Sequence, residues 1–230
     1  MMKLWYPKVL SEDETLDLAL GGRSLARYGD GELRLMLGGA SASQKACPRL
    51  AGELLRILSD PDPRVLPCIP NSRSATPKVS NWEKYTIPKI TKHYQLKEYG
   101  SSFMSRPDSA PWIDREDYWG KIRSLWNGKD VTLVIGSGRS LTSDNMANAG
   151  SIRLVWGQYR DSYQIIDQLM EQIGKPSGPI IICLGAAATV LAARLAKLDL
   201  HAIDLGHTGM MMKHACTGRW DARDKTSEVA

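Results

Sequence analysis

The spacing of apolar residues along the chain switches repeatedly between the helical period and the strand period. Within Arg49 to Leu58, Leu50, Leu54, Leu55 and Leu58 recur at helical spacing and define one apolar face. Asp60-Pro61-Asp62-Pro63 ends that helix, because proline removes a backbone donor and restricts the residue before it. Upstream, Glu12 to Leu20 reads as a helix, Ser24 to Tyr28 as a short strand, and a helical pattern begins at Leu33 to Leu37. Arg64 to Ile69 and Tyr99 to Met104 read as strands, with a Pro-, Ser- and Asn-rich loop over Pro70 to Lys78. Trp82 to Tyr94 reads as a helix interrupted near Pro88, and Arg115 to Trp126 as a second helix.

The C-terminal half has a cleaner rhythm. Val131 to Ile135, Ile152 to Trp156, Ile180 to Leu184 and His201 to Leu205 are strand candidates. Tyr163 to Ile173 and the segment from Gly185 through Lys197 read as helices between them. Ile180 to Leu184 is nearly all apolar, which suits a central strand covered on both faces. Strands alternating with helices predict an α/β, Rossmann-like fold with a mostly parallel sheet and helices on both faces. One domain over residues 1–218 and a polar, disordered tail over 219–230 are expected.

Composition narrows this picture only slightly. Hydrophobic residues make up 43% and charged residues 24% of the 230, the balance of a folded globular chain. A net charge of +5 suits phosphorylated ligands, but the basic residues are scattered, so no nucleic-acid partner is expected. No apolar stretch of about 18 residues predicts a membrane span, and Met1 to Leu10 lacks the features of a signal peptide. Cys47, Cys68, Cys183 and Cys216 share no metal-ligand spacing, and Cys183 reads as a buried core thiol. A cytoplasmic setting is expected, with the oligomeric state open, a homo-oligomer included.

Ligands of an open parallel sheet bind beyond the carboxyl ends of its strands, so the residues following each strand carry the candidate chemistry. After the first comes Arg27-Tyr28-Gly29-Asp30-Gly31-Glu32. Asp30 and Glu32, flanked by Gly29 and Gly31, can turn their oxygens toward one hard cation such as Mg²⁺ or Mn²⁺. The same two residues could instead cap a helix and favour its first turn. Gly136-Ser137-Gly138-Arg139 could offer N–H groups and a forked guanidinium to a diphosphate, although it is not a full GxGxxG. A plain strand-to-helix turn is the alternative there. Gly185 to Thr189 places small residues and one hydroxyl at a helix start, which serves either close approach of a ligand or helix–sheet packing. Arg106 is a candidate phosphate clamp, and Asp204 with His207 a candidate base or ligand pair. Most of the tryptophans read as core anchors, and Met210-Met211-Met212 as filler of a core gap.

The segment Ala26-Arg27-Tyr28-Gly29-Asp30-Gly31-Glu32 resembles the Arg-(Phe/Tyr)-Gly-Asp-Gly-Glu signature of bacterial glycosyltransferases with the GT-D fold. Four later segments follow in the same order as in that family. They are Ser102 to Pro107, Trp126 to Val131, Leu184 to Ala192 and Ala202 to His207. The resemblance, over residues 24–208, implies a nucleoside-diphosphate-sugar donor (a UDP-sugar), a divalent metal (Mn²⁺ or Mg²⁺) and transfer to a glycan, glycoprotein or small-molecule acceptor hydroxyl. It maps the family's Asp-x-Glu motif onto Asp30 and Glu32 as metal and donor site. Arg27, Gly29, Gly31, Arg106, Gly138, Arg139, Gly185 and Thr189 become donor-binding candidates, and Asp204 and His207 candidates for acceptor deprotonation. Two departures stand out. The acidic stretch that follows Gly-His in many relatives is replaced by Thr208-Gly209-Met210-Met211-Met212-Lys213, and the usual Gly-Pro-Thr-Ala-Thr loop reads Gly185-Ala186-Ala187-Ala188-Thr189. Rival expectations are a Rossmann enzyme using NAD or S-adenosylmethionine and a non-catalytic nucleotide-sugar-binding protein.

Overall fold

The computed structural model of the chain describes residues 6–71, 87–107, 109–136, 140–158 and 160–217. Eight strands form one sheet: β1 (Lys8–Val9), β2 (Ser24–Arg27), β3 (Val65–Ile69), β4 (Glu98–Ser101), β5 (Asp130–Ile135), β6 (Ser151–Trp156), β7 (Ile180–Cys183) and β8 (Ala202–Asp204). Their order across the sheet is β1-β4-β3-β2-β8-β7-β5-β6. Every strand pairing among the described residues is parallel. The helices are α1 (Glu12–Leu20), α2 (Asp30–Met36), α3 (Pro48–Ser59), α4 (Ile87–Ile90), α5 (Glu116–Arg123), α6 (Ile166–Ile173), α7 (Ala186–Ala196) and α8 (Thr208–Thr217).

The two-residue period of the strands sorts their side chains into two cores. Leu133, Ile135, Ile181, Cys183 and Ile203 face α1, α5 and α8, among Leu16, Trp119, Ile122 and Met211. Val134, Ile180 and Ile182 face α3, α6 and α7, among Leu54, Ile166 and Leu191. The sheet is therefore doubly wound. Trp126 and Trp119 are core anchors, whereas Trp156 on edge strand β6 is 55% exposed. Met211 and Met212 fill the core as expected.

Several boundaries differ from the sequence reading, for identifiable reasons. α2 begins at Asp30, before the apolar pattern does, because Glu32 reaches back to accept the Gly29 N–H at 2.6 Å. The strand expected over Tyr99 to Met104 stops at Ser101. There the Phe103 N–H turns to the Ser101 hydroxyl at 3.2 Å and the Ser102 carbonyl accepts Arg27, so the ladder cannot continue. The helix expected from Tyr163 opens as a 3₁₀ turn over Ser162–Ile165. β1 and α8 were not anticipated. Most of the expected loop over Pro70 to Lys78, residues 82–86 of the expected Trp82 to Tyr94 helix and the tail 219–230 lie outside the described residues. The rest of that helix is α4 followed by a 3₁₀ turn over Thr91–His93.

One ion pair ties the helical layer together. Arg194 of α7 reaches Glu53 of α3 through both Nε (3.0 Å) and Nη2 (2.6 Å), and the Tyr163 hydroxyl also donates to Glu53. Although burial opposes it, these donors hold the Glu53 carboxyl below the usual range. A depressed carboxylate contributes stability above its unfolded pKa and loses it as pH falls through the folded value. Arg194→Ala is expected to cost about 2–4 kcal/mol at pH 7, with the cost shrinking below about pH 4. Urea unfolding at the two pH values checks this.

Candidate active site

The chain leaves β2 toward β3 and β4 on one side of the sheet, crosses to β5 and β6 on the other, and returns through β7 and β8 to lie beside β2. That reversal opens a crevice at the carboxyl edge, where β2, β8 and β7 end together. A cavity of about 200 Å³ occupies it. It is lined by Arg27, Asp30, Glu32, Arg106, Asp204 and His207, and by Gly29, Gly31 and Gly185. Residues separated by up to about 180 positions are thus gathered by strand order alone.

Asp30 and Glu32 sit in the first turn of α2 but in unlike surroundings. The Asp30 side chain is exposed and pairs with Arg34, one turn on, at 3.5 Å. Glu32 turns inward, and burial pushes its carboxyl up to about 7. Hydrogen bonds from its own N–H and from Gly29 pull the other way, while the charges of Asp204 and Asp30 add to the rise. The capping role proposed for this pair is real, but it belongs to Glu32, since Gly29 is the N-cap residue and Asp30 the first helical one.

Asp204 ends β8 and is 4% exposed. Its Oδ1 accepts the Gly206 N–H at 3.0 Å, and its Oδ2 accepts the Arg27 N–H at 3.3 Å. Burial raises its carboxyl to about 6 against the opposing pull of Arg27. The Arg27 guanidinium donates to the Ser102 carbonyl from Nε at 3.1 Å and from Nη2 at 2.5 Å. Its Nη1 is buried with no hydrogen-bond partner. Gly206, at φ +55°, allows this approach, since a Cβ there would stand 3.1 Å from Nη1.

Thr189 does not line the cavity. It is fully buried, and its hydroxyl donates to the Arg27 carbonyl at 2.7 Å and lies 3.5 Å from Asp204 Oδ2. Its place is behind Arg27 and Asp204, outside the lining of the cavity. Gly138 and Arg139 fall outside the described residues, although Gly136 before them lines the cavity. Arg34, Ser41, Ala42 and Ser43 also line it and were missed. Arg34 had a signal, one helical turn beyond Asp30; the serine segment had none.

Fold and site together define a doubly wound parallel α/β domain with a charged cavity at its topological switch point. The family model described as "Glycosyltransferase GT-D fold" matches residues 25–213, and the chain belongs to that family. It is 28% identical over 219 residues to "Probable glycosyl transferase Gly" of Streptococcus gordonii, covering 86% of this chain and 32% of the relative. It is 27% identical over 215 residues to "Glycosyltransferase GlyD" of Streptococcus pneumoniae serotype 4, covering 85% and 26%. The chain thus spans about a third or less of the length of these relatives. Among solved structures, it resembles "The highly conserved domain of unknown function 1792 has a distinct glycosyltransferase fold". That likeness has a TM-score of 0.82 at 29% identity over 92% of this chain and 82% of the other. It also resembles "A New Glycosyltransferase (DUF1792) from Streptococcus sanguinis", with a TM-score of 0.80 at 27% identity over 93% and 86%. No helix among the described residues is long and apolar enough to cross a membrane.

Proposed function

We propose that this chain is a metal-dependent glycosyltransferase that moves a sugar from a nucleoside-diphosphate-sugar, a UDP-sugar, to an acceptor hydroxyl. The observation that carries this reading is the meeting of Asp30, Glu32 and Asp204 with Arg27, Arg34 and Arg106 around one cavity, in a chain of the GT-D family. Carboxylates and guanidiniums converging on one small space match a ligand that brings phosphate oxygens and a cation together.

Among the described residues no group of three or more His, Cys, Asp or Glu side chains meets that could hold a metal by itself, so a divalent cation here would draw ligands from the donor as well. Mg²⁺ and Mn²⁺ are commonly held by one or two carboxylates plus substrate phosphates. Asp30 and Glu32 would hold it, leaving the remaining positions to donor oxygens and water. When bound there, the cation would supply positive charge to offset the negative charge of the departing diphosphate. Arg27 and Arg106 share that charge, and the unpaired Arg27 Nη1 gains the acceptor it lacks. Both oxygens of Asp204 already accept backbone N–H groups, so this residue anchors Arg27. We therefore assign acceptor deprotonation to His207, which lines the cavity three residues beyond the end of β8.

The test is release of the sugar from a nucleotide-sugar panel, with Mn²⁺ or with chelator. Turnover is expected only with metal. His207→Gln is expected to lower transfer about a hundredfold with donor affinity nearly unchanged. Turnover that ignores chelator, or ligand binding confined to NAD or S-adenosylmethionine, would remove this reading.

A further inference from the structure

One wall of the cavity comes from outside the strand ends. Residues 41–43 lie between α2 and α3 and cross the space between the two glycine turns that open α2 and α7. A Cβ on Gly31 would stand 3.2 Å from Ser41 Cβ. One on Gly185, whose φ is +67°, would stand 2.9 Å from Ser43 Oγ. The segment is therefore packed into room that the two glycines leave.

It is also fastened there. Gln44, 5% exposed, accepts the Tyr163 N–H at 3.2 Å through Oε1 and donates to Asp161 Oδ1 at 3.2 Å through Nε2. Asp161 holds φ +56° and accepts the Lys45 N–H at 2.8 Å, while its own N–H donates to the Ser43 carbonyl at 2.8 Å. A left-handed aspartate is strained backbone, kept in place here by bonds on both sides of the junction. Yet the half-buried Ser43 hydroxyl makes no hydrogen bond to any described residue.

The chemistry of the cavity is divided. Arg27, Asp204 and Gly206 form one contact group, with charged side chains. The second is the pair of close approaches of Ser41 to Gly31 and of Ser43 to Gly185, whose side-chain polar groups are hydroxyls, with Asp30 and Glu32 flanking Gly31. A diphosphate belongs with the first. A neutral, hydroxyl-bearing ring belongs with the second, because a serine hydroxyl both donates and accepts.

We infer that the Ser41–Ser43 segment, fixed by Gln44 and Asp161, is the specificity wall of this site, and that the Ser43 hydroxyl binds a ring hydroxyl of the donor. This rests on the nucleotide-sugar reading above. The ring is either the donor's ribose or its transferred sugar, and the chemistry recognised is the same. Gln44 and Asp161 are positioning residues, since they act through the segment and do not touch the ligand.

The test is calorimetric titration, with Mn²⁺, of wild type and Ser43→Ala. The probes are UDP-glucose, GDP-mannose and dTDP-glucose, the matching nucleoside diphosphates, and inorganic pyrophosphate. Ser43→Ala is expected to weaken the preferred nucleotide-sugar about three- to tenfold and pyrophosphate less than about twofold. Gln44→Ala is expected to produce the same selective loss from a distance. A loss shared by the nucleoside diphosphate assigns Ser43 to ribose; a loss confined to the nucleotide-sugar assigns it to the transferred sugar. Equal losses for pyrophosphate, or no loss for any probe in Ser43→Ala, would overturn the inference while leaving the donor reading intact. If the wild type binds none of the nucleotide-sugars, both fall.

Discussion

Glu32→Gln is expected to lower sugar transfer by about a hundredfold or more while making the metal-free protein more stable at alkaline pH. The two effects have one cause. Glu32 is turned inward beside Asp204, and its folded carboxyl sits at about 7, above its ordinary value of 4.5. A carboxylate with a raised folded pKa favours the native state below the unfolded value and loses that advantage as pH climbs through the folded one. Above pH 7 the ionised side chain therefore costs stability, on the order of 1–3 kcal/mol for a partly exposed group. Glutamine removes that charge and keeps an oxygen for the Gly29 N–H, so the helix cap survives. The gain in melting temperature should be largest near pH 8 and vanish below about pH 4.5. A bound cation would relieve the same cost in the wild type, and only there. A variant that loses activity without gaining stability at pH 8 would contradict the burial argument.

Arg27→Gln carries the second large effect. Arg27 is the cation that opposes the burial of Asp204, and its loss leaves a carboxylate at 4% exposure without that compensation. The two described side chains form no direct ion pair, so losing the opposing charge is expected to cost less than the rupture of a contact pair, about 1–3 kcal/mol. The Asp204 carboxyl, already raised to about 6, should climb further in the variant. The penalty is therefore full above neutral pH and shrinks toward pH 5, where Asp204 takes up a proton in the folded state. Denaturant titrations at pH 5 and pH 8 read the difference directly. Transfer should also fall about a hundredfold, and Arg27→Lys should not restore it, because an ammonium cannot serve Ser102 and a donor oxygen with one planar fork. Equal destabilisation at both pH values would show that Arg27 acts through packing instead.

Much of the architecture could be read in the sequence because the strands advertise themselves. β5, β6 and β7 are runs rich in β-branched residues, and their limits match the apolar pattern to within a residue. The rule that ligands gather at strand ends then brought Arg27, Asp30, Glu32, Arg106, Asp204 and His207 to one edge, where the cavity lies. What escaped was structure set by tertiary contacts. β1 is two residues long and draws its place from β4. α8 begins with Thr208-Gly209, which gives no apolar period to follow. Ser43 reaches the site through a bond between Gln44 and Asp161, residues 117 apart in the chain, and no local pattern encodes such a latch.

The central claim is that Asp30 and Glu32 bind a metal and a nucleotide-sugar together, and a thermal-shift panel tests it most directly. Wild type and Glu32→Gln would be melted with nucleotide-sugars in the presence of Mn²⁺, Mg²⁺ or chelator, since a ligand that binds only the native state raises the melting temperature. The account predicts a rise that needs both a nucleotide-sugar and a divalent cation, and that is lost in Glu32→Gln. A rise that persists with chelator, or that is equal in the variant, would contradict it.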